Sequence, residues 1–173
     1  FCALPKLTPE KFKVTIIRIA DENPNHFSYV DATKMALMMF DSCFTQTDSA
    51  DLPVAAGECF IIDTRVMSCR HFLKIASNLG TLRLFMKYLQ EGVPFVIKHM
   101  HFVNCSSVFS KIFSLVRPMM KKEVFESTHI HSEGLDSLYE FIPKSVLPKD
   151  YGGDLKSIDD LHKDCMKIFE SKR

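Results

Sequence analysis

Four short apolar runs, rich in β-branched and aromatic residues, constrain most strongly what this chain can fold into. They cover residues 13–19, 58–64, 94–104 and 128–131, and a stretch with helical character lies between each run and the next. Strands separated by a helix usually pair in parallel, because the helix carries the chain back to the edge where the previous strand began. The order therefore predicts an α/β fold with a mostly parallel β-sheet flanked by helices.

Helical segments are predicted at residues 27–45, 69–77, 82–90, 106–126, 136–142 and 157–172, with a loop at residues 48–56. The segment 106–126 is amphipathic, and we expect a kink at Pro118. Its apolar residues fall within about 160° of the helical circumference; they are Val108, Phe109, Ile112, Phe113, Leu115, Val116, Met119 and Met120. A surface helix packed on a core and a lid over a cavity would both show this pattern.

Length and charge limit the classes of protein to consider. The 173 residues fit one domain, which we place at residues 1–173. With 22 basic and 21 acidic residues the net charge is +1, so the chain lacks the positive field that attracts nucleic acid, and we expect no nucleic-acid partner. The 15 Phe and 9 Met residues, without Trp, fit either a large core or a core with an apolar cavity.

The six cysteines indicate the compartment. They form no C-x-x-C pair and mostly lie within apolar runs, which predicts buried, reduced thiols. The opening "FCALPKLTP" lacks the basic start and long apolar stretch of a signal peptide, and no run is long enough to span a bilayer. We expect a cytoplasmic protein.

Motifs for catalysis are missing from the sequence. It contains no G-x-G-x-x-G, P-loop, H-E-x-x-H or G-x-S-x-G pattern. Asp63, at the end of a predicted buried strand, could be a catalytic carboxylate, but we favour a strand-end acid that caps the following turn, because no partner base or nucleophile is identifiable. We expect no enzyme activity and no cofactor.

Histidines occur as two pairs on neighbouring predicted strands. His99 and His101 share one strand face, and His129 and His131 repeat the spacing on the next strand. Four imidazoles so placed could hold zinc. No carboxylate or thiol stands at a matched spacing, however, and strand-end histidines often bond to backbone groups. We expect structural histidines and no metal.

The stretch "LPKDYGGDL" contains two adjacent glycines, Gly152 and Gly153. It lacks the lysine and the preceding strand of a phosphate-binding loop. Paired glycines more often allow positive φ angles in a tight turn. We therefore predict a turn ahead of the last helix, in which Ser157 and Asp160 form a capping pair.

The order of several segments resembles the CRAL-TRIO lipid-binding domains. These segments are "GECFIIDT", "GVPFVIKHMHFVN", "VFSKIFSLVRPMM", "THIH" and "LPKDYGGDL", and the resemblance covers roughly residues 4–169. The opening "LPKLTPEKFKVTIIRI" looks most like insect members. We expect a single domain without the helical segment that usually precedes it in the family. In the family the glycine pair belongs to the fold, with Leu147 and Tyr151 as its anchors.

The resemblance implies a carrier of one small hydrophobic ligand, such as a retinoid, carotenoid, tocopherol or similar lipid, in an apolar cavity under a mobile lid at residues 104–128. Matched position by position to the tocopherol carrier of the family, the residues that line the cavity are Thr33, Ala36, Phe40, Phe60, Ile62, Phe85, Tyr88, Leu89, Val93, Phe95, Ile97, Met100, Ile112, Val116 and Met120. We expect a monomer.

Transient contact with a membrane surface is also implied, and the basic residues expected to face it are Lys98, Lys111, Arg117, Lys121 and Lys122. At the positions where the tocopherol carrier binds phosphoinositide phosphates, this chain has Val96, Lys98, Glu123 and Ser127, of which only one is basic. The alternatives to a hydrophobic-ligand carrier are a phospholipid-exchange or lipid-sensing module and a protein-interaction domain with a collapsed cavity.

Overall fold

The computed structural model describes residues 1–45 and 55–171. Its sheet has five strands in the order β1-β2-β3-β4-β5, with bounds β1 Cys2–Leu7, β2 Phe12–Arg18, β3 Gly57–Asp63, β4 Ile97–Val103 and β5 Thr128–His131. Strands β2 to β5 pair in parallel, which confirms the predicted α/β fold.

The first strand was not predicted. It pairs with β2 in antiparallel fashion at the edge of the sheet, and its register shifts between Ala3 and Leu7. Its sequence, CALPKL, contains Pro5 and is short of β-branched residues. An edge strand tolerates proline because one side of it needs no hydrogen bonds.

Helices form in five of the six predicted helical segments, and one of these segments contains two helices. Their bounds are α1 Tyr29–Thr45, α2 Cys69–Ala76, α3 Leu79–Glu91, α4 Ser107–Val116, α5 Lys122–Glu126 and α6 Ile158–Ser171. Residues 48–54 of the predicted loop and Lys172 lie outside the described part of the chain. None of the described helices combines the length and the apolar character that crossing a bilayer requires.

The predicted helix at residues 136–142 is wrong. The segment forms only a short 3-10 turn, Asp136–Leu138. Gly134 precedes it with a positive φ of 106° and Pro143 follows it, so the segment is too short for a stable α-helix.

The predicted continuous helix at residues 106–126 is broken in two. Helix α4 ends at Val116, a 3-10 turn covers Arg117–Met119, and the backbone is extended at Met120 before α5 begins. The break coincides with the kink expected at Pro118, which has no N–H to continue the helical hydrogen bonds.

The two faces of the sheet carry different side chains, because successive residues of a strand point to opposite sides. What we call the back face packs, together with side chains of β1, against α6 and the segment 135–155. Its residues on the other strands are Val14, Ile16, Cys59, Ile61 and Val103. On the front face, side chains of β2, β3 and β4 pack against α1 and α3; these are Ile17, Phe60, Ile62, Met100 and Phe102.

The glycine pair forms the predicted turn. Gly152 has a φ of 69°, in the left-handed region. A Cβ on Gly153 would lie 2.1 Å from the carbonyl oxygen of Leu147. Leu147 and Tyr151 are fully buried on the back face, so they anchor the turn as expected. The capping pair is also confirmed, since the Asp160 N–H donates to Ser157 Oγ at 3.3 Å.

The five cysteines whose side chains the structure describes are free, but they are not all buried. Cys2 and Cys59 are buried, while Cys105 and Cys165 are partly accessible. Cys69 is exposed, so its predicted burial is wrong: it is the first residue of α2 and lies on the solvent side. The side chain of Cys43 lies outside the description.

Candidate ligand-binding site

An aromatic cluster forms the centre of the front face. The Phe40 ring on α1 lies 5.7 Å from the Phe60 ring of β3 and 5.6 Å from Phe95, in edge-to-face contacts, and 6.5 Å from Phe85 of α3. Phe40 reaches this position because Ala36 and Phe40 stand one helical turn apart on α1. The cluster joins the sheet to two helices through contacts between aromatic rings.

A second apolar cluster lies where α2, α3 and α4 meet. Its buried members are Ile75, Leu82, Met86 and Ile112. Leu89 and Met120 contact both this cluster and the aromatic one. The two clusters therefore form one continuous apolar region that runs from the sheet to α4.

The structure brings together nearly all the residues that the family resemblance assigns to a cavity. The front-face clusters contain Ala36, Phe40, Phe60, Ile62, Phe85, Tyr88, Leu89, Val93, Phe95, Ile97, Met100, Ile112, Val116 and Met120. Thr33 is buried nearby, but its hydroxyl donates to the Tyr29 carbonyl oxygen at 2.9 Å and so satisfies itself within α1.

Helix α4 has the predicted amphipathic arrangement. Phe109 and Ile112 are buried, whereas Lys111 and Ser114 are exposed. The helix packs on α2 and α3 through Ile112. Movement of this helix as a lid stays a prediction.

A glutamine fixes the chain after the break at Pro118. Gln90, near the end of α3, donates from Nε2 to the Met86 carbonyl at 2.8 Å and to the Met119 carbonyl at 3.0 Å. Its Oε1 accepts the Lys121 N–H at 2.6 Å. The sequence does not predict this role of Gln90, because a polar residue at the end of a helix gives no sign of a contact 31 residues away.

The basic residues expected to face a membrane differ in exposure and in position. Lys111, Arg117, Lys121 and Lys122 are exposed. Lys121 pairs with Glu91 at 2.9 Å, and the Arg117 guanidinium lies 3.5 Å from the Phe125 ring centroid. Lys98 instead lies by the Phe12 ring, 5.9 Å from its centroid. Membrane contact stays a prediction.

One carboxyl lies within the front layer. Glu58 is 7% exposed and its Oε2 accepts from Thr15 Oγ1 at 3.5 Å. Burial raises the pKa of Glu58 to about 7. A role for Glu58 was not predicted, although strand alternation places it on the front face, since it stands two and four residues before Phe60 and Ile62.

Asp63 acts as the strand-end acid that the sequence favoured. Its carboxylate accepts the Arg65 N–H at 3.1 Å, Asn104 Nδ2 at 3.0 Å and the Tyr151 hydroxyl at 2.8 Å. Burial acts to raise the pKa of Asp63, but the hydrogen bonds from Arg65, Asn104 and Tyr151 outweigh it and hold that pKa below its ordinary value. The residue thus ties β3 to the turn after it, to the end of β4 and to the glycine-pair segment.

A polar cleft of about 200 Å³ lies beside Asp63, at the carboxyl ends of β2 and β3. Its charged groups are Arg65, paired with Asp63 at 2.7 Å, Arg18, paired with Asp159, and Glu22. A cleft lined by charged groups does not suit an apolar ligand.

The four histidines lie on the back face and bond to one another, so the expected bonds to backbone groups are not what holds them. His99 Nδ1 lies 3.1 Å from His129 Nε2, and His101 Nδ1 lies 3.0 Å from His131 Nε2. The Phe141 ring covers them, with its centroid 4.3 Å from that of His129.

Proton positions in the inner pair follow from its partners. His131 Nδ1 lies 2.6 Å from Ser137 Oγ, while His101 Nε2 is buried without a partner. An unpaired acceptor costs less than an unpaired donor, so the His101 proton belongs on Nδ1, where it is donated to His131. Burial lowers the pKa of all four rings, that of His101 to about 3. Within the described residues no group of three or more His, Cys, Asp or Glu side chains is placed to hold a metal ion.

Comparison with known proteins decides the family. The chain matches the CRAL/TRIO domain over residues 1–153. It belongs to the CRAL/TRIO domain family. A human alpha-tocopherol transfer protein-like sequence is 38% identical over 89 residues, which are 50% of this chain and 26% of the relative. Human clavesin-2 is 24% identical over 147 residues, which are 85% of this chain and 43% of the relative.

The CRAL/TRIO fold is supported by a solved structure. The crystal structure of Sfh5 matches with a TM-score of 0.62 and 13% identity, over 91% of this chain and 56% of that one. At this identity the likeness concerns the fold alone. This chain spans less than half the length of the alpha-tocopherol transfer protein-like and clavesin-2 relatives.

Proposed function

We propose that this CRAL/TRIO domain binds one small hydrophobic molecule, such as a retinoid, carotenoid, tocopherol or similar lipid, and carries it between membranes. The ligand lies between the front face of the sheet and helices α1, α3 and α4. Family membership supports the proposal, as does a relative whose name refers to alpha-tocopherol transfer. Binding of this kind requires a dry site and a gate but no bond making.

The observation that carries the proposal is the incomplete burial of the front-face apolar residues. Phe85, Tyr88, Phe95 and Met120 converge on one cluster, yet each keeps part of its surface accessible. Apolar surface gains about 25 cal/mol per Å² when it leaves water, so a ligand that hides about 400 Å² contributes on the order of 10 kcal/mol before its costs are counted.

We propose α4 as the gate. The break at residues 117–121 separates it from α5, and the Gln90 contacts hold the chain beyond the break in place. When α4 lifts, Val108, Ile112 and Val116 become exposed together, and this face inserts at the headgroup boundary of a membrane. The exposed basic residues around it add about 1 kcal/mol each near anionic lipid.

Sedimentation with anionic vesicles tests this membrane step. Ile112→Ser should weaken binding more than Lys121→Ala/Lys122→Ala, and phosphoinositides should not be preferred over phosphatidylserine at equal charge. Abolished binding in the lysine variant, with a strong preference for phosphoinositides, would show that charge leads instead.

Organic extraction of the protein purified from its native tissue, followed by mass spectrometry, tests the function. A stoichiometric pigment, sterol or isoprenoid is the expected result. Phospholipid alone would indicate a phospholipid-exchange module, and an empty protein would indicate an interaction domain.

A further inference from the structure

Glu58 is a buried carboxyl that hydrophobic binding alone does not explain. It stands on β3 two residues before Phe60, which belongs to the front-face aromatic cluster. Side chains two apart on a strand share a face, so Glu58 points toward the proposed ligand site. Its β4 partner in the register is Ile97, which contacts the same cluster.

The carboxyl is poorly satisfied where it lies. Among the described residues its one hydrogen bond comes from Thr15 at 3.5 Å, the outer limit for such a bond. Lys13 lies opposite on β2, and its charge favours the ionised form; the ion pairs within the described chain do not include Glu58. A carboxylate has about four acceptor positions, so most of its capacity is unused.

We propose that Glu58 is the polar anchor of the front-face site and selects a hydrophobic ligand that ends in a hydroxyl group. The inference rests on the proposed function. A hydroxyl both donates and accepts, so it can bond to a carboxylate and equally to a protonated carboxyl.

Other head groups fit the anchor less well. An ester or ether has no donor for a carboxylate. A ligand that ends in a carboxylate or phosphate adds a second negative charge beside a buried one, which is costly. Burial raises the pKa of Glu58 to about 7, so both of its protonation states are populated near neutral pH. Among these head groups, only the hydroxyl can donate to the carboxylate form and accept from the protonated form.

A matched series of fluorescent ligands tests the anchor. We would titrate the protein at pH 7.5 with cis-parinaric acid, its methyl ester and the corresponding alcohol, which share one polyene chain. The wild type should bind the alcohol about tenfold more tightly than the ester or the acid, the size expected for one hydrogen bond in a buried site.

Two variants separate the contributions of charge and hydrogen bonding. Glu58→Gln keeps a donor and an acceptor but removes the charge, so the alcohol should still bind while the discrimination against the acid disappears. Glu58→Leu should bind the alcohol and the ester alike. Glu123→Gln, on the exposed surface of α5, is the matched control and should leave all three affinities unchanged.

The outcomes distinguish this inference from the proposed function. If the wild type binds the three ligands equally, or if Glu58→Gln still discriminates against the acid, the anchor is wrong and the hydrophobic site stands. If none of the three binds, both fall. A thermal melt of each variant checks folding, and Glu58→Gln alone decides the matter should Glu58→Leu fail to fold.

Discussion

The two faces of this sheet carry similar apolar residues, which differ in how completely they are buried. On the back face, Leu138, Ile142, Leu147 and Tyr151 are all 0% exposed. On the front face, residues of the same kinds, such as Tyr88 and Leu89, meet in clusters but stay partly accessible. The apolar core of the back face is packed as a protein interior is, whereas the front face retains apolar surface that a ligand can cover.

The two faces also differ in the hydrogen bonds that their buried polar groups make. On the back face, the Asp63 carboxylate accepts four hydrogen bonds, and His101 and His131 bond to each other, although His101 Nε2 has no partner. On the front face, Glu58 has the single long bond from Thr15. Hydrogen-bonded polar groups rigidify a fold. Unlike His101, which the Phe141 ring covers, Glu58 shares a face with partly accessible apolar residues, where a ligand can supply a further partner.

A charge introduced into α4, the proposed gate, should have the largest effect on ligand binding. Val116 is half-buried in the front-face clusters. In Val116→Asp we expect ligand binding to be lost, because an unpaired charge beside an apolar ligand costs several kcal/mol. The fold should survive, because in our proposal α4 is a gate that swings outward. A circular dichroism melt that falls as far as the binding does would show that Val116 belongs to the core.

Matched leucine truncations should separate the faces next. Leu138→Ala, on the back face, should lower the free energy of unfolding by about 3 kcal/mol, because it opens a cavity in a packed core. Leu89→Ala, on the front face, should cost about 1 kcal/mol, because part of that side chain is already accessible, and it should weaken ligand binding. Urea unfolding of both variants provides the measurement, and equal losses would remove the distinction.

The pH dependence of stability should report on Glu58. Burial raises the pKa of Glu58 from 4.5 to about 7. The folded protein therefore keeps a proton that the unfolded chain releases, and the stability that this contributes is present below about pH 4.5 and lost as the pH rises through 7. From pH 5 to pH 8, the free energy of unfolding of Glu58→Gln should rise by about 2 kcal/mol relative to that of the wild type. A constant difference over this range would mean that Glu58 is solvated.

The histidine pairs should affect binding least. His101→Gln and His131→Gln change the back face only, so ligand affinity should stay the same, with a loss of about 1 kcal/mol in stability from the broken hydrogen bond. Elemental analysis should find no zinc. Stoichiometric zinc that disappears in these variants would overturn the structural interpretation of the four rings.

Features carried by local sequence patterns could be predicted, and those carried by distant contacts could not. The β-branched runs predicted four of the strands, and the spacing from Val108 to Val116 predicted the buried and exposed sides of α4. The edge strand β1 contains Pro5 and gave no clear pattern.

The pairing of the histidines depends on strand register, which sets His101 beside His129 and within reach of His131. The extended backbone after Pro118 depends on Gln90, on another helix. Neither relation is visible in a single sequence, because each joins residues that are about 30 positions apart along the chain.

Methionine methyl NMR tests most directly whether the front face is the ligand site. Met100 and Met120 belong to the front-face clusters, and Met166 lies on α6, which packs behind the sheet. With labelled methionine methyl groups, assigned through Met→Leu variants, addition of the parinaric alcohol should shift the Met100 and Met120 resonances and leave Met166 in place. Shifts at Met166 without shifts at Met100 and Met120 would contradict the account.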